Sequence, residues 1–474
     1  MLECSDGSGK WKNMIEKRIV LYGCAWETEK FIKNNPDLDI AFCLDDTLHG
    51  RSFLKWNIYS PKECVSSLKG NLVLIFTRNP VNYNRIKTYL AGSGLNEFED
   101  FIPYYLYGKK LALTWGNCHV GQVKNYLLHS REFAAEYAFY EMTDIWRMKE
   151  SEIDSNIFKH CQLLVSQDIR KENSLGYSFS SENIESMLSG ECIVIKFPNL
   201  FGMPKFLYPD LDVKNCFLRQ RGGVKWYRDK FLDELIKTSD SYEGICLAIC
   251  SRKFNNDLLE KGKEEFFYKL REREVPCNIH ISDFLQEHFT DTKLFLDLEH
   301  PSKYVLCEIA NRILDKFQMN RLREDTYLFS SYGHEVITYP GIKKYFGFTW
   351  KDEDIKRDNP NEKLCNVYMD RAEYIQEYIQ VYSEGLCVDQ SAISYKACIL
   401  KNGLLSWLTL VGVNEIAGTV GEGTALNGIY VEGRKELDIR YKVYFVDSGW
   451  SDEKRGGEEC FFLGGVRSRF LAVV

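Results

Sequence analysis

Short apolar runs alternate with segments of helical spacing from the start of the chain to beyond residue 300. That order limits the fold severely. A strand, a helix and a second strand in succession bury their apolar sides most readily as a parallel sheet with crossover helices. RIVLYG at residues 18–23 predicts a buried strand and WETEKFIKN a helix. DIAFCLDD predicts a second strand ending at Asp45 and Asp46, and NLVLIF at 71–76 another. The turn that begins at Gly23 lacks the second and third glycines that let a backbone approach a pyrophosphate. Asp45 stands where a ribose-binding acid would stand. Residues 1–108 are read as a Rossmann-like α/β domain, with nucleotide binding and a purely structural role both open.

A second α/β series follows over 109–325. KLALTWGNC predicts a strand that stops at Gly116-Asn117-Cys118, and HVGQVKNYLLHS has helical spacing, with Val120, Val123, Tyr126 and Leu127 on one side. CQLLVSQDI at 161–169 and CIVIKFPNL at 192–200 predict two more strands, and a long charged helix falls near 255–273. A turn at Asp297–Pro301 then leads into an amphipathic helix with Val305, Ile309, Ile313 and Phe317 on one stripe. Residues 326–390 read as a helical and charged connector, with 351–363 as a solvated loop. From 391 to 474 the chain reads as a small all-β module built on a repeat. ISYKACILKNG from Ile393 matches IRYKVYFVDSG from Ile439, so that Tyr395 aligns with Tyr441 and Gly403 with Gly449.

Composition excludes several functions. Lys+Arg 61 against Asp+Glu 68 leaves a net charge of -7, whereas a dedicated nucleic-acid binder needs a basic face. No apolar run reaches the roughly 18 residues that cross a bilayer. The first residues carry no apolar signal core, so the expected location is cytoplasmic, with any link to the membrane made through an assembly complex. In that setting the 16 cysteines are expected to be reduced, and without any C-x-x-C pair they do not predict a metal site. The question is which thiol is chemically special.

Cys118 is the candidate. A nucleophile between a strand and a helix projects from the carboxyl edge of the sheet, where open α/β folds place their ligands. The backbone N–H groups there form an anion cradle, and the positive end of the helix favours a thiolate. Downstream, Asp297-x-x-His300 spaces a carboxylate so that it can orient an imidazole acting as general base. The structural alternatives are a buried thiol at Cys118 and a helix cap at Asp297.

Four stretches carry a family resemblance. W-G-N-C at 115–118 resembles the Gly-Asn-Cys start of the WcbI-type polysaccharide biosynthesis acetyltransferases, which are similar to SGNH hydrolases with cysteine in place of serine. LLVSQDI resembles the family strand ending in glutamine, here Gln167. IKFPNLFGMPKFLYPDL resembles its Pro-Asn and Pro-Asp segment, here Pro198, Asn199, Pro209 and Asp210. LDLEHPSKYVLCEIANRIL resembles the block with the D-x-x-H-P histidine, here His300 and Pro301. His119 stands where the family often has glutamine.

The resemblance implies a three-layer αβα SGNH-like domain that binds coenzyme A and transfers an acetyl group from acetyl-CoA to a polysaccharide or its sugar precursor, as in capsule assembly. Cys118, His300 and Asp297 are then catalytic. Cys118 takes the acyl group, or His300 activates the sugar hydroxyl for direct attack. Asn117, Gln167, His119 and Asn199 are candidates for the oxyanion and substrate contacts. Gly116, Lys205, Arg219 and Arg221 are candidates for the cofactor. No metal is expected. The tail resembles clostridial hydrophobic repeats with a conserved tryptophan, and Trp407 and Trp450 could stack on sugar rings or fill a β core. A carbohydrate esterase using the same residues and a non-catalytic glycan-binding adaptor are the competing readings.

Overall fold

The computed structural model describes residues 17–218, 225–239, 241–323, 335–350, 355–358, 366–369, 371–383, 387–388, 393–401, 404–407, 411–412, 426–433, 440–445, 449–450, 453–455, 459–461 and 470–473. The chain divides into two compact units. The first comprises Met1–Asn199, Arg273–Ile281 and Leu306–Phe329, and the second Leu200–Glu272, Ser282–Val305 and Ser330–Val474.

The first unit is α/β and holds two parallel-rich sheets. In the first sheet the strands are β1 (Ile19–Tyr22), β2 (Ile40–Leu44), β3 (Ser52–Phe53), β4 (Trp56–Tyr59), β5 (Leu72–Ile75) and β6 (Phe101–Pro103). They lie in the order β3-β4-β2-β1-β5-β6, with only the β3–β4 pair antiparallel. β1 and β5 are buried on both faces, which is why their sequences are continuous apolar runs rather than alternating ones. The crossover helices are α1 (Trp26–Asn34) and α2 (Pro80–Gly92). The latter starts with Pro at its first position behind an Asn79 cap, a combination that suits the orphan N–H groups of a helix start. The second sheet has β7 (Lys110–Trp115), β8 (Tyr137–Phe139), β9 (Leu163–Gln167) and β10 (Ile193–Phe197) in the order β10-β9-β7-β8, all parallel. One continuous apolar core joins the two sheets, from Ile19 and Val20 through Leu111 and Trp115 to Ile184.

The turn after β1 serves the protein's own backbone. Asp45 Oδ2 accepts the Cys24 N–H at 3.1 Å. Its Oδ1 accepts the N–H groups of Thr47 and Leu48, at 2.9 and 3.0 Å, and the Thr47 hydroxyl at 3.0 Å. Both oxygens close the turn, as a structural module requires. Burial pushes the Asp45 carboxyl up, but these donors outweigh it and hold the pKa below the usual aspartate range. A depressed acid stabilises the fold above its unfolded pKa, near 4, and that contribution is lost as pH falls through the folded value. Asp45→Asn is therefore expected to cost about 1 kcal/mol at pH 7, a modest figure because the group is partly exposed to solvent. Chemical denaturation at pH 7 and at pH 3 tests this. The gap between wild type and variant should close in acid.

The second unit contains β11 (Leu211–Leu218) and β12 (Lys225–Asp229), an antiparallel pair. α4 (Lys230–Thr238) follows, capped by Asp229 Oδ1, which accepts the Phe231 and Leu232 N–H groups. The expected charged helix is α5 (Asn256–Glu274), which belongs to this unit as far as Glu272. The expected amphipathic helix, α6 (Lys303–Lys316), belongs to the first unit from Leu306 onward. Its Val305, Ile309 and Ile313 are fully buried, and Phe317, expected on the same stripe, follows the helix and is half-buried. Part of the stretch read as a solvated loop forms strand. β13 (Ile355–Asp358) pairs antiparallel with β14 (Asn366–Met369). α7 (Arg371–Ser383) buries Tyr374 and Tyr378, and the Tyr378 hydroxyl donates to Asp233 at 2.7 Å, so this helix is packed rather than a free link.

The described residues after 386 fall mostly in short strands. β15 (Cys387–Val388) pairs with β11. β16 (Ile393–Lys401) makes a hairpin with β17 (Leu404–Trp407). Further along, β18 (Val411–Gly412) and β19 (Leu426–Gly433) also pair with β16. β20 (Arg440–Phe445), in the stretch expected to be the second copy, pairs antiparallel with β21 (Gly449–Trp450). Trp407 stands opposite Cys398 and Trp450 opposite Tyr444. The side chains of both tryptophans lie outside the described residues, as do Arg219 and Arg221 altogether.

Candidate active site

In the first unit the candidate nucleophile sits on the turn between β7 and α3 (Cys118–His129). Gly116 has φ +152°, and a Cβ there would overlap Val120 Cγ2 and lie 2.6 Å from Gln167 Oε1. Only glycine lets the chain turn this close to the neighbouring strand. Asn117 caps α3, its Oδ1 accepting the His119 N–H at 3.0 Å. Cys118 is the first helical residue and is partly exposed. Cys24, Cys43, Cys161, Cys277 and Cys307, by contrast, are buried thiols.

Gln167, the last residue of β9, holds this turn in place. It is fully buried. Its Oε1 accepts the Asn117 N–H at 3.0 Å, and its Nε2 lies 3.4 Å from His119 Nδ1. Because the backbone donor fixes the amide orientation, Nε2 is the donor to His119, whose proton then sits on Nε2 of the ring. Gln167 was expected among the oxyanion contacts. Its amide is engaged at both ends within this turn. His119, 1% exposed, belongs to the same internal network.

Asn199, just past β10, comes to the same place. Its Oδ1 lies 3.5 Å from Asn117 Nδ2, and its carbonyl accepts from Arg273 Nη1 at 2.5 Å. The Arg273 pKa is lowered, first by burial and then by the neighbouring charge of Arg170, which is itself exposed just beyond β9. Arg273 therefore stands at Asn199, and the charge of Arg170 acts on it. Sequence reasoning missed both, since Arg273 stands in a highly charged helix and reads there as one more solvated residue. The signal for Arg170 was its position three residues past the strand-terminal glutamine.

Asp297 and His300 belong to the second unit, where their turn is self-contained. Asp297 is fully buried. Its Oδ1 accepts the N–H groups of Glu299 and His300 at 2.6 and 2.8 Å, and its Oδ2 lies 2.8 Å from His300 Nδ1. A carboxylate can only accept, so Nδ1 carries the proton and Nε2 is the basic nitrogen. Asp297 is not the cap of α6, which begins at Lys303. The Leu296 N–H donates to the His300 carbonyl at 2.9 Å, and the Tyr208 hydroxyl donates to the Phe295 carbonyl at 2.7 Å. These bonds clamp the turn.

Two further residues singled out from the sequence belong to the second unit. Lys205 is an exposed side chain in the second unit. Asp210 pairs with Arg252 at 2.6 Å, and the Arg252 guanidinium stacks 3.8 Å from the Phe231 ring centre, so this acid is part of a packed ion pair. Among the described residues no group of three or more His, Cys, Asp or Glu is placed to hold a metal ion. No helix among them is long and apolar enough to cross a membrane.

Residues 111–322 match the family model of the polysaccharide biosynthesis enzyme WcbI. A solved structure of WcbI, described as a polysaccharide biosynthesis enzyme in native form without a disulfide between coenzyme A and a cysteine, is similar with a TM-score of 0.44. It shares 15% identity, over 58% of this chain and 90% of that one. The chain matches no curated protein.

Proposed function

We propose, from the match of residues 111–322 to a polysaccharide biosynthesis family, that this region transfers an acyl group from coenzyme A to a sugar hydroxyl. The observation that carries this reading is the Gly116-Asn117-Cys118 turn, built at a strand end and locked by Gln167. Cys118 Sγ stands at the head of α3, whose positive end suits an oxyanion or a thiolate. In the covalent route, Sγ attacks the thioester carbonyl and the coenzyme thiolate leaves. The sugar oxygen then attacks the acyl-cysteine as His300 Nε2 takes the hydroxyl proton. In the direct route His300 does the same for attack on the thioester itself, and the proton passes to the departing sulfur. The Cys118 N–H and the Asn117 amide are the oxyanion donors we favour.

Two measurements test the assignment. Saturating coenzyme A is expected to raise the unfolding temperature, since a ligand at a hundred times its Kd stabilises by about 2.7 kcal/mol. A simple esterase has no use for that cofactor, so no shift would favour hydrolysis. Cys118→Ala is expected to remove transfer by the covalent route, and mass spectrometry of wild type incubated with acetyl-CoA should then show one added acetyl group. Turnover unchanged in Cys118→Ala would sink the covalent role. Arg170→Ala is expected to weaken coenzyme A about tenfold, the loss of one charge-assisted phosphate contact. Equal affinity in wild type and variant would remove Arg170 from the site.

A further inference from the structure

Two loops of the first unit are tied to the end of β7, the strand that leads into the Cys118 turn. In the loop after β8, the Ile145 N–H donates to the Gly116 carbonyl at 3.3 Å, and the Ile145 side chain is buried in the core. In the loop after β9, the Phe179 carbonyl accepts the Trp115 indole N–H at 3.0 Å, and the two rings stack with their centres 6.1 Å apart. The loops also meet each other, since the Ser178 hydroxyl donates to the Glu150 carboxylate.

Beside each buried anchor an aromatic ring faces solvent. Trp146 follows Ile145 on a turn closed by the Arg147 and Met148 N–H groups, which donate to the Asp144 carbonyl at 2.9 and 3.1 Å, and it is 53% exposed. Tyr177 stands two residues before Phe179 and is 52% exposed. Among the described residues neither ring stacks on another ring or has a cation over it. A lone exposed aromatic is ordinary. Two of them, on joined loops pinned beside a candidate nucleophile, offer accessible apolar faces to a substrate.

The surrounding charges narrow the class of ligand. Residues 141–152 contain Glu141, Asp144, Glu150 and Glu152 against Arg147 and Lys149, a balance that repels phosphate. The Arg273 guanidinium, which suits phosphate, lies at Asn199 past β10, and β10 and β8 are opposite edges of the sheet. The acids are also not waiting for an amine. Glu141 pairs with Lys124 at 3.1 Å, Glu150 accepts from Ser178, and Glu152 Oε2 accepts the Lys149 N–H at 2.7 Å. Each carboxylate keeps further lone pairs, which accept hydroxyls. A neutral ring with an apolar face and a hydroxyl edge fits this combination. We infer that Trp146 and Tyr177 seat the sugar acceptor beside Cys118, on the side of the turn away from Arg273. The inference rests on the acyl-transfer reading of that turn and adds the residues that select its acceptor.

The test is saturation-transfer NMR of the full chain with the methyl glycosides of glucose, galactose and N-acetylglucosamine, beside calorimetry of coenzyme A binding. At least one glycoside is expected to bind. Trp146→Ala and Tyr177→Ala should each weaken it about tenfold, and Trp146→Phe should restore most of the loss. Coenzyme A affinity and the unfolding temperature should stay at the wild-type values in all three variants, since both side chains are exposed. The inference is overturned if wild type binds none of the glycosides, or if the alanine variants bind them as wild type does. It is equally overturned if coenzyme A is the ligand that weakens, which would assign the rings to adenine, or if tetramethylammonium displaces the glycoside. Sugar binding needs no donor, so a chain that binds the glycosides but not coenzyme A would refute the acyl-transfer reading and leave the sugar subsite standing.

Discussion

Asp297→Asn is expected to lower acetyl transfer by about 10²- to 10⁴-fold while leaving the fold in place. The physical reason is the tautomer of His300. Asp297 Oδ1 is held by two backbone N–H groups, from Glu299 and His300. An asparagine in the same pocket keeps its carbonyl oxygen on those donors, which turns its NH₂ toward His300 Nδ1. That nitrogen must then accept, the ring proton moves to Nε2, and the base is lost. The substitution is nearly isosteric at a fully buried position, so packing is conserved. Release of the coenzyme thiol from acetyl-CoA, with and without a sugar acceptor, measures the effect. Activity within threefold of wild type would exclude His300 as the base. His300→Ala should be as severe as Asp297→Asn, since the two residues act as one unit.

Gly116→Ala is the second large effect expected, a loss of about 3 kcal/mol or more. The added methyl overlaps Val120 and reaches 2.6 Å from Gln167 Oε1, in a backbone conformation that alanine rarely adopts. Gln167 is the acceptor for the Asn117 N–H, so a displaced amide also frees a buried donor. The unfolding temperature should fall by roughly 5–10 °C, and coenzyme A should no longer stabilise the protein. A variant that melts within a degree of wild type would show that the turn can relax, and that the close approach of Gly116 to β9 is not needed.

Much of the fold was legible locally. The apolar runs 18–23, 71–76 and 109–118 became buried parallel strands, and WETEKFIKN became α1 without change of boundary. The stripe from Val305 to Ile313 marked the buried side of α6. Other readings failed where a partner outside the segment decided the outcome. Part of the polar stretch 351–363 is strand because Ile355–Asp358 pairs with residues that follow it, and charge content carries no information about such pairing. Tyr374 and Tyr378 looked like residues of a connector, and their burial follows from contacts in the second unit such as Tyr378 with Asp233.

The candidate site divides in the same way. Gly-Asn-Cys at the end of an apolar run, and Asp three residues before His, are local statements. The sequence by itself established them because a turn, a cap and an i,i+3 contact involve neighbours along the chain. What Gln167 does depended on sheet order. It meets Asn117 across 50 residues only because β9 lies beside β7, which sets the two strand ends together. Arg273, on helix α5, meets Asn199 across 74 residues. Hydrogen bonding, unlike apolar periodicity, leaves no pattern in the chain when its partners are far apart. Tertiary structure alone therefore decided which polar residues hold the turn, which gather near it, and which, like Asp45 and Asp210, are engaged in closing the protein's own structure.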